Sequence, residues 1–336
     1  MAARSTAPAG ARQDARMVER RTVLRGLLSG AAALGVLGVP GCSSRFTGVR
    51  LTLATGGTQG VYYNLGNALA DAWHAQLGLD ARPAVLSTAG SVDNLEKLAS
   101  RAADVVFSQV DTAADQLANT PADDPRSMRA LARIYDDVVH VVVPASSPVT
   151  TLAGLRGARV SVGAPDSGVR VIAERLLAAA GLSPATDFQD LQLGINESVE
   201  SMASGEIDAF FWVGGLPTRG VDALSQTLPI RLLNLEDLIT PVRATYPVYA
   251  AGTVPAQTYG IPEPITTLLV RNFLMVRADM PDDVANALVQ GLFAAQEQLA
   301  AVSPAALTID LRAAIGTQPV PLHPGAEQFF RSEKDP

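Results

Sequence analysis

Residues 51–70 read LTLATGGTQGVYYNLGNALA. Leu51–Ala54 has the composition of a strand, Thr55–Gly60 that of a glycine-rich loop, and a helix opens at Val61 or Tyr62. A strand that enters a helix through such a loop leaves backbone N–H groups unpaired at the helix start, where the helix dipole favours an anion. The loop has neither the spacing and lysine of a P-loop nor the G-x-G-x-x-G spacing of a dinucleotide site. What remains is a small cup suited to a carboxylate.

Moving outward, the same unit recurs. Ala84–Leu86 is a short strand, followed by the loop Ser87–Ser91 and a helix from Val92 to Ser100 with Ser91 as its N-cap. Asp104–Ser108 is a buried strand, and Leu131–Tyr135 with Val138–Val143 forms a long β-rich stretch. After Pro144 and Pro148 a second set begins. It comprises strand Arg159–Val162, loop Gly163–Gly168, helix Val169–Ala180, a short strand at Gln192–Leu193, helix Glu197–Ser204 and strand Asp208–Val213. Further strands are expected at Leu232–Leu235 and Thr267–Val276, and one amphipathic helix over Pro281–Ala301. An internal echo links the two sets: Ala99-Ser100-x-x-x-Asp104-x-x-Phe107 repeats as Ala203-Ser204-x-x-x-Asp208-x-x-Phe211. Two similar α/β domains account for it, and open α/β sheets bind ligands beyond the carboxyl ends of their strands. Two such domains would set loops 55–60 and 87–91 across a cleft from loops 163–168 and 214–217, with crossing strands near 135–145 and 245–275 as a hinge.

The N-terminus reads differently. Arg20-Arg21 precedes an uncharged Gly/Ala/Leu-rich run, Gly26–Val39, which ends in Val39-Pro40-Gly41-Cys42. The run is shorter than the ~20 residues a spanning helix needs, and the pattern is that of a twin-arginine export signal with a lipobox, residues 1–42. Cys42 is the only cysteine. Its place there argues for lipidation, and the chain has no cysteine for a disulfide framework, thiolate cluster or cysteine nucleophile elsewhere. Residues 1–42 hold six arginines and two acids, so the rest carries 20 basic and 31 acidic side chains, a net charge near −11. That balance opposes nucleic-acid binding.

The loops supply the candidate ligand groups: hydroxyls at Thr55, Thr58, Ser91 and Ser167, close backbone approach at Gly57 and Gly168, and amides at Asn94 and Gln109. Tyr62 and Tyr63 sit about 100° apart on a helix, so one is expected to wall the ligand and the other to pack. Phe211 and Trp212 alternate across a strand, so only one is expected on the cleft side. Arg170 is either a bidentate partner for a carboxylate or a solvated side chain. Catalytic machinery is thin: His74, His140 and His323 are dispersed, with no metal-spaced pair, and His140 reads as a core residue. Asp136-Asp137 and Asp282-Asp283 read as turn or helix-cap residues. No cofactor, metal or enzymatic activity is expected.

With these residues in view, the chain resembles the TAXI family of extracytoplasmic solute receptors that serve TRAP transporters. The likeness rests on TLATGGTQGVYYNLGNALA (52–70), STAGSVDNLEKLAS (87–100), ADVVFSQVDTA (103–113), VSVGAPDSGVRVIAERLL (160–177), GEIDAFFWVGG (205–215) and PLHPGAEQFFR (321–331). It implies an α/β, bilobed periplasmic-binding-protein-like fold (type II) with two α/β domains, 46–140 with 250–336 and 145–245, hinged on crossing strands. It also implies capture of a small organic anion or glutamate-like amino acid and delivery to a TRAP permease by an extracytoplasmic, lipid-anchored receptor. Carried over by motif, the binding residues are Thr55, Gly57, Tyr62, Tyr63, Ser91, Asn94, Gln109, Ser167, Gly168, Phe211 and Gly214. Asp166 stands where the family carries glycine, and a carboxylate pointing inward there would disfavour a dianion. The alternatives are an ABC-importer binding protein and a sensory partner of a membrane kinase.

Overall fold

A computed structural model describes residues 46–121, 124 and 127–334. The expected export signal and Cys42 lie outside these residues. Among the described residues no helix is long and apolar enough to cross a membrane.

The first unit runs β1 (Thr52–Ala54), α1 (Val61–Leu77), β2 (Ala84–Leu86), α2 (Ser91–Ala99), β3 (Val105–Gln109), α3 (Val110–Ala118) and β4 (Met128–Pro144). The second runs β5 (Arg159–Ser161), α4 (Gly168–Ala179), β6 (Gln189–Leu191), α5 (Ile195–Ala203), β7 (Ala209–Gly214), α6 (Arg219–Ser225) and β8 (Ile230–Leu232). It continues through α7 (Glu236–Thr245) and β9 (Ala250–Val254) to β10 (Ile265–Arg277). The chain closes with α8 (Asp282–Ala294), α9 (Gln296–Val302), α10 (Leu311–Ala314) and α11 (Pro324–Ser332).

All ten strands share one sheet, ordered β2-β1-β3-β10-β4-β7-β5-β6, with β8 on β4 and β9 on β10. The flanks are parallel, β2-β1-β3 on one side and β7-β5-β6 on the other. Between them the long strands β10 and β4 run antiparallel to their neighbours. β4 pairs with β10 through its first part and with β7 through Val138–Val142, so it passes from one flank to the other. β10 does the reverse, pairing with β9 over Ile265–Leu269 and with β3 over Asn272–Val276.

The sequence echo is a duplication of structure. α2 and α5 begin 104 residues apart and end alike, with Ser100 N–H on the Glu96 and Leu98 carbonyls and Ser204 N–H on the Glu200 and Met202 carbonyls. Asp104 Oδ2 accepts from Thr52 N–H at 2.8 Å, and Asp208 Oδ2 accepts from Arg159 N–H at 2.8 Å. Each aspartate thereby ties the entry of its unit's third strand to the start of its first. Asp208 is also paired with the Arg159 guanidinium, whose Nη2 lies 2.7 Å from Oδ1.

Several boundaries moved. The short strand near residue 190 is Gln189–Leu191 rather than Gln192–Leu193, and β8 is Ile230–Leu232 rather than Leu232–Leu235. Pro281 is an N-cap rather than the first helical residue, and the single helix expected after it is two, α8 and α9. α3, α6 and α7 lie outside the helices expected from the sequence, and α7 contains Pro241. They form because each packs against neighbouring elements, which outweighs local propensity.

The core lies on both faces of the sheet. β3 is buried at every position. Trp73 is fully buried between α1 and α8, its indole N–H donating to the Leu288 carbonyl at 3.1 Å. Gly291 makes that approach possible, since a Cβ there would stand 2.6 Å from the indole. His140 is a core residue, with Nδ1 2.7 Å from the Val138 carbonyl oxygen and Nε2 3.2 Å from the Tyr259 hydroxyl. Burial pushes its pKa down to about 4, so it is neutral at physiological pH.

Candidate functional site

The carboxyl ends of β1, β3, β5 and β7 face a common cleft, and their loops meet over it. Asp93 N–H donates to the Asp166 carbonyl at 2.9 Å, and Asn196 Nδ2 donates to Thr58 Oγ1 at 3.0 Å. A Cβ on Gly90 would lie 3.6 Å from Ser167 Cα. These contacts enclose a cavity of about 380 Å³, within the size range of small-ligand sites.

Four helix starts border it: Gly60-Val61, Gly90-Ser91, Ser167-Gly168 and Gly194-Ile195. Three of these helices begin after a glycine that offers no side-chain cap, so their first N–H groups point outward without a side-chain partner. The fourth is capped by Ser167, whose Oγ accepts from Arg170 N–H at 3.2 Å. Tyr62, stacked on Phe107 with ring centroids 5.0 Å apart, and the rings of Phe211 and Trp212 supply the apolar walls.

Of the residues singled out from sequence, Gly57, Tyr62, Ser91, Gln109, Ser167, Gly168, Phe211 and Gly214 line the cavity. Four others are placed elsewhere. Thr55 is buried, and its hydroxyl donates to the Leu86 carbonyl at 2.6 Å. Asn94 is a buried strut whose Nδ2 donates to the Thr55 and Phe107 carbonyls at 2.7 and 2.8 Å. Thr58 accepts from Asn196 at the rim, and Tyr63, half-buried on α1, is not among the lining residues. Ser91 is the first helical residue rather than the N-cap, which is Gly90. Its Oγ accepts from Gln109 N–H at 3.1 Å. Phe211 and Trp212 both line the cavity, because the site lies beyond the strand end, where both faces of β7 border it. Arg170 pairs with Glu174 at 2.9 Å and lies outside the lining, as does the exposed Asp166.

Sequence reasoning missed the floor. Asp137 lies inside β4, not in a turn, and both it and Tyr135 are buried and line the cavity. Asp137 Oδ2 accepts from Gln109 Nε2 at 3.0 Å. Burial pushes the Asp137 pKa up to about 7, against the pull of the Gln109 hydrogen bond. The register explains the placement: Gln109 opposes Asn272, Asp137 opposes Val270, and β4 gains one residue against β10 between Asp136 and Arg133. A β-bulge of this kind re-aims side chains beside a site. Aspartate is depleted in strands, and no local pattern marks a bulge of this kind.

Two α/β units that share two crossing strands and enclose a cavity at their facing loops define a bilobed, periplasmic-binding-protein-like fold. The chain belongs to the NMT1-like family, whose model matches residues 53–333. Among solved structures, one described as a periplasmic transporter matches with a TM-score of 0.53 at 17% identity, over 87% of this chain and 94% of that one. The periplasmic aliphatic sulphonate binding protein SsuA from Escherichia coli gives 0.44 at 17%, over 84% and 78%. A ligand-binding component of an ABC-type import system from Staphylococcus aureus gives 0.47 at 10%, over 77% and 83%.

Proposed function

We propose that this protein is a solute-binding receptor that closes on a small carboxylate or amino acid and delivers it to a membrane importer. The observation that carries this is the cavity bordered by four helix starts from the two units and bridged by contacts between their loops. The lobes would be 46–140 with 250–336 and 145–245, pivoting where β4 and β10 pass between the flanks. Among the described residues no histidine, lysine or arginine lines the cavity to activate its hydroxyls, which favours binding over catalysis. An ABC-type importer is the partner type named among the solved neighbours. The TRAP type has the sequence motifs in its support, so the ABC reading is placed first and the TRAP reading second.

A thermal-melt screen of the purified chain against amino acids and small mono- and dicarboxylates tests the receptor reading. A ligand at 100 times its Kd adds about 2.7 kcal/mol, which for a chain of this size is a shift of roughly 5–10 °C. Gly168→Ala is expected to shrink that shift, because its Cβ would fall 2.0 Å from Gln109 Oε1 and 2.9 Å from Ser91 Oγ and hold the loops apart. A screen in which nothing moves the melting temperature rejects the receptor.

The export signal and lipobox extend this reading to an extracytoplasmic protein tethered through Cys42. Cys42→Ala should move the protein from the membrane fraction to the soluble one. Unchanged membrane association would reject the tether.

A further inference from the structure

Among the described residues, three buried polar atoms of cavity-lining residues have no hydrogen-bond partner, Asp137 Oδ1, Gln109 Oε1 and the Tyr135 hydroxyl, and on the neighbouring strand the donor Asn272 Nδ2 is unpartnered as well. The residues that carry them are at most 2% exposed. Buried polar groups of this kind are almost always satisfied, so three on one wall point to a missing partner. Two of the three atoms, a carboxylate oxygen and an amide oxygen, are acceptors only, and the hydroxyl can serve as a third acceptor. Acceptors lining one cavity, one of them carrying negative charge, match the N–H donors of a primary ammonium.

The rest of the lining agrees. Among the described residues it contains no arginine, lysine or histidine, and its two acids are Asp137 at the floor and Glu197 at the exposed lip. An anion that enters this cavity meets no cationic side chain. A ligand carrying one positive group balances Asp137, and a single carboxylate can still lie at the helix starts on the opposite side. A second carboxylate has nothing to pair with. Asp166, the residue that stood out in sequence, does not take part, because it is exposed and outside the cavity.

We propose that Asp137, Gln109 and Tyr135 form an ammonium subsite, and that the solute is a zwitterionic amino acid with an uncharged side chain rather than a dicarboxylate. This rests on the receptor reading above and narrows it. The side chain of the solute lies against Tyr62, Phe211 and Trp212, which favours an apolar one.

The test is calorimetric titration of the full chain at pH 8 with the uncharged L-amino acids, each paired with its 2-oxo acid, and with glutamate and aspartate. A site built around an amine rejects the analogue that lacks it far more strongly than a size mismatch would. At least one uncharged amino acid should bind, with its 2-oxo analogue at least about 100-fold weaker. Glutamate should bind less tightly than glutamine. Asp137→Asn should weaken the amino acid by about 50-fold or more while the unliganded variant melts no lower than the parent. A 2-oxo acid or glutamate that binds as tightly as the uncharged amino acid overturns the subsite, as does unchanged affinity in Asp137→Asn. Carboxylates that bind while no amino acid does also overturn it and leave the receptor standing. If no compound of any class binds, the receptor reading falls with it.

Discussion

Arg175→Met is expected to cost about 3–5 kcal/mol at neutral pH, the loss typical when one partner of a buried ion pair is removed. Arg175 Nη1 donates to the Tyr249 hydroxyl at 2.7 Å and lies 3.4 Å from Asp111 Oδ2, while Nη2 meets Asp115 at 2.5 Å. Its guanidinium lies over the Tyr246 ring, 4.1 Å from the centroid. Asp111 is fully buried on α3, and its carboxylate also accepts from the Tyr249 hydroxyl at 2.7 Å. Burial raises the Asp111 pKa, and the Tyr249 hydrogen bond and the Arg175 charge pull it back. Without Arg175 the carboxylate keeps only neutral donors, the hydroxyls of Tyr249 and Thr112. Asp115, whose side chain is 58% exposed, adds little, as exposed pairs generally do. Urea denaturation checks the loss, and the double variant with Asp111→Asn should recover most of it, since removing both charges leaves no unpaired ion. If Arg175→Met costs no more than an ordinary surface substitution, the pair is not the tie between α3 and α4 that the geometry describes.

Asp137→Asn is expected to stabilise the unliganded protein at pH 8 and to leave it nearly unchanged at pH 4. The native pKa of Asp137 is raised to about 7, while in the unfolded chain it is near 4. A group raised on folding holds its proton in the native state after the unfolded chain has lost it. Its contribution is therefore complete below about pH 4 and is lost as pH rises through about 7. The Gln109, Asn272 and Tyr135 side chains offset that burial only in part, and the charged groups packed nearby are otherwise engaged. Asp136 is engaged with Arg133 at 2.7 Å, and Arg271 donates to the Gly316 carbonyl at 3.1 Å. Asp111 is held by Arg175 and Tyr249, and Tyr62 and Tyr135 keep their protons because burial raises both hydroxyls. Asparagine keeps the shape and the acceptor for Gln109 but never ionises. A gain of about 2–4 kcal/mol at pH 8 follows from the size of the shift, or roughly 4–12 °C in melting temperature. An equal difference at both pH values would show that Asp137 is not the titrating group. A side chain that destabilises the empty protein at the pH where it is charged is what a binding site retains for its ligand.

The organisation of this protein was written locally. Thr52–Ala54 followed by Val61–Leu77, the loop 163–168 followed by Gly168–Ala179, and the Ser-x-x-x-Asp-x-x-Phe echo are short-range patterns. Period, glycine placement and cap chemistry act within a few residues, so a single sequence carries them. That was enough to place two repeated α/β units and a cleft between their loops, and to select eight residues that line the cavity. Local reading fails where a residue's role comes from distant neighbours. Thr55 and Asn94 carry ligand-like groups, but folding turns them onto backbone carbonyls, where they brace the loop instead. Gln109, Asp137 and Asn272 come from three strands distant in sequence, and only the β3-β10-β4 pairing with its bulge brings them to one floor. In sequence, Asp136-Asp137 looked like a turn, because a buried aspartate in a strand is costly unless something pairs with it. The sheet's register alone decides that Asp137 faces the cavity.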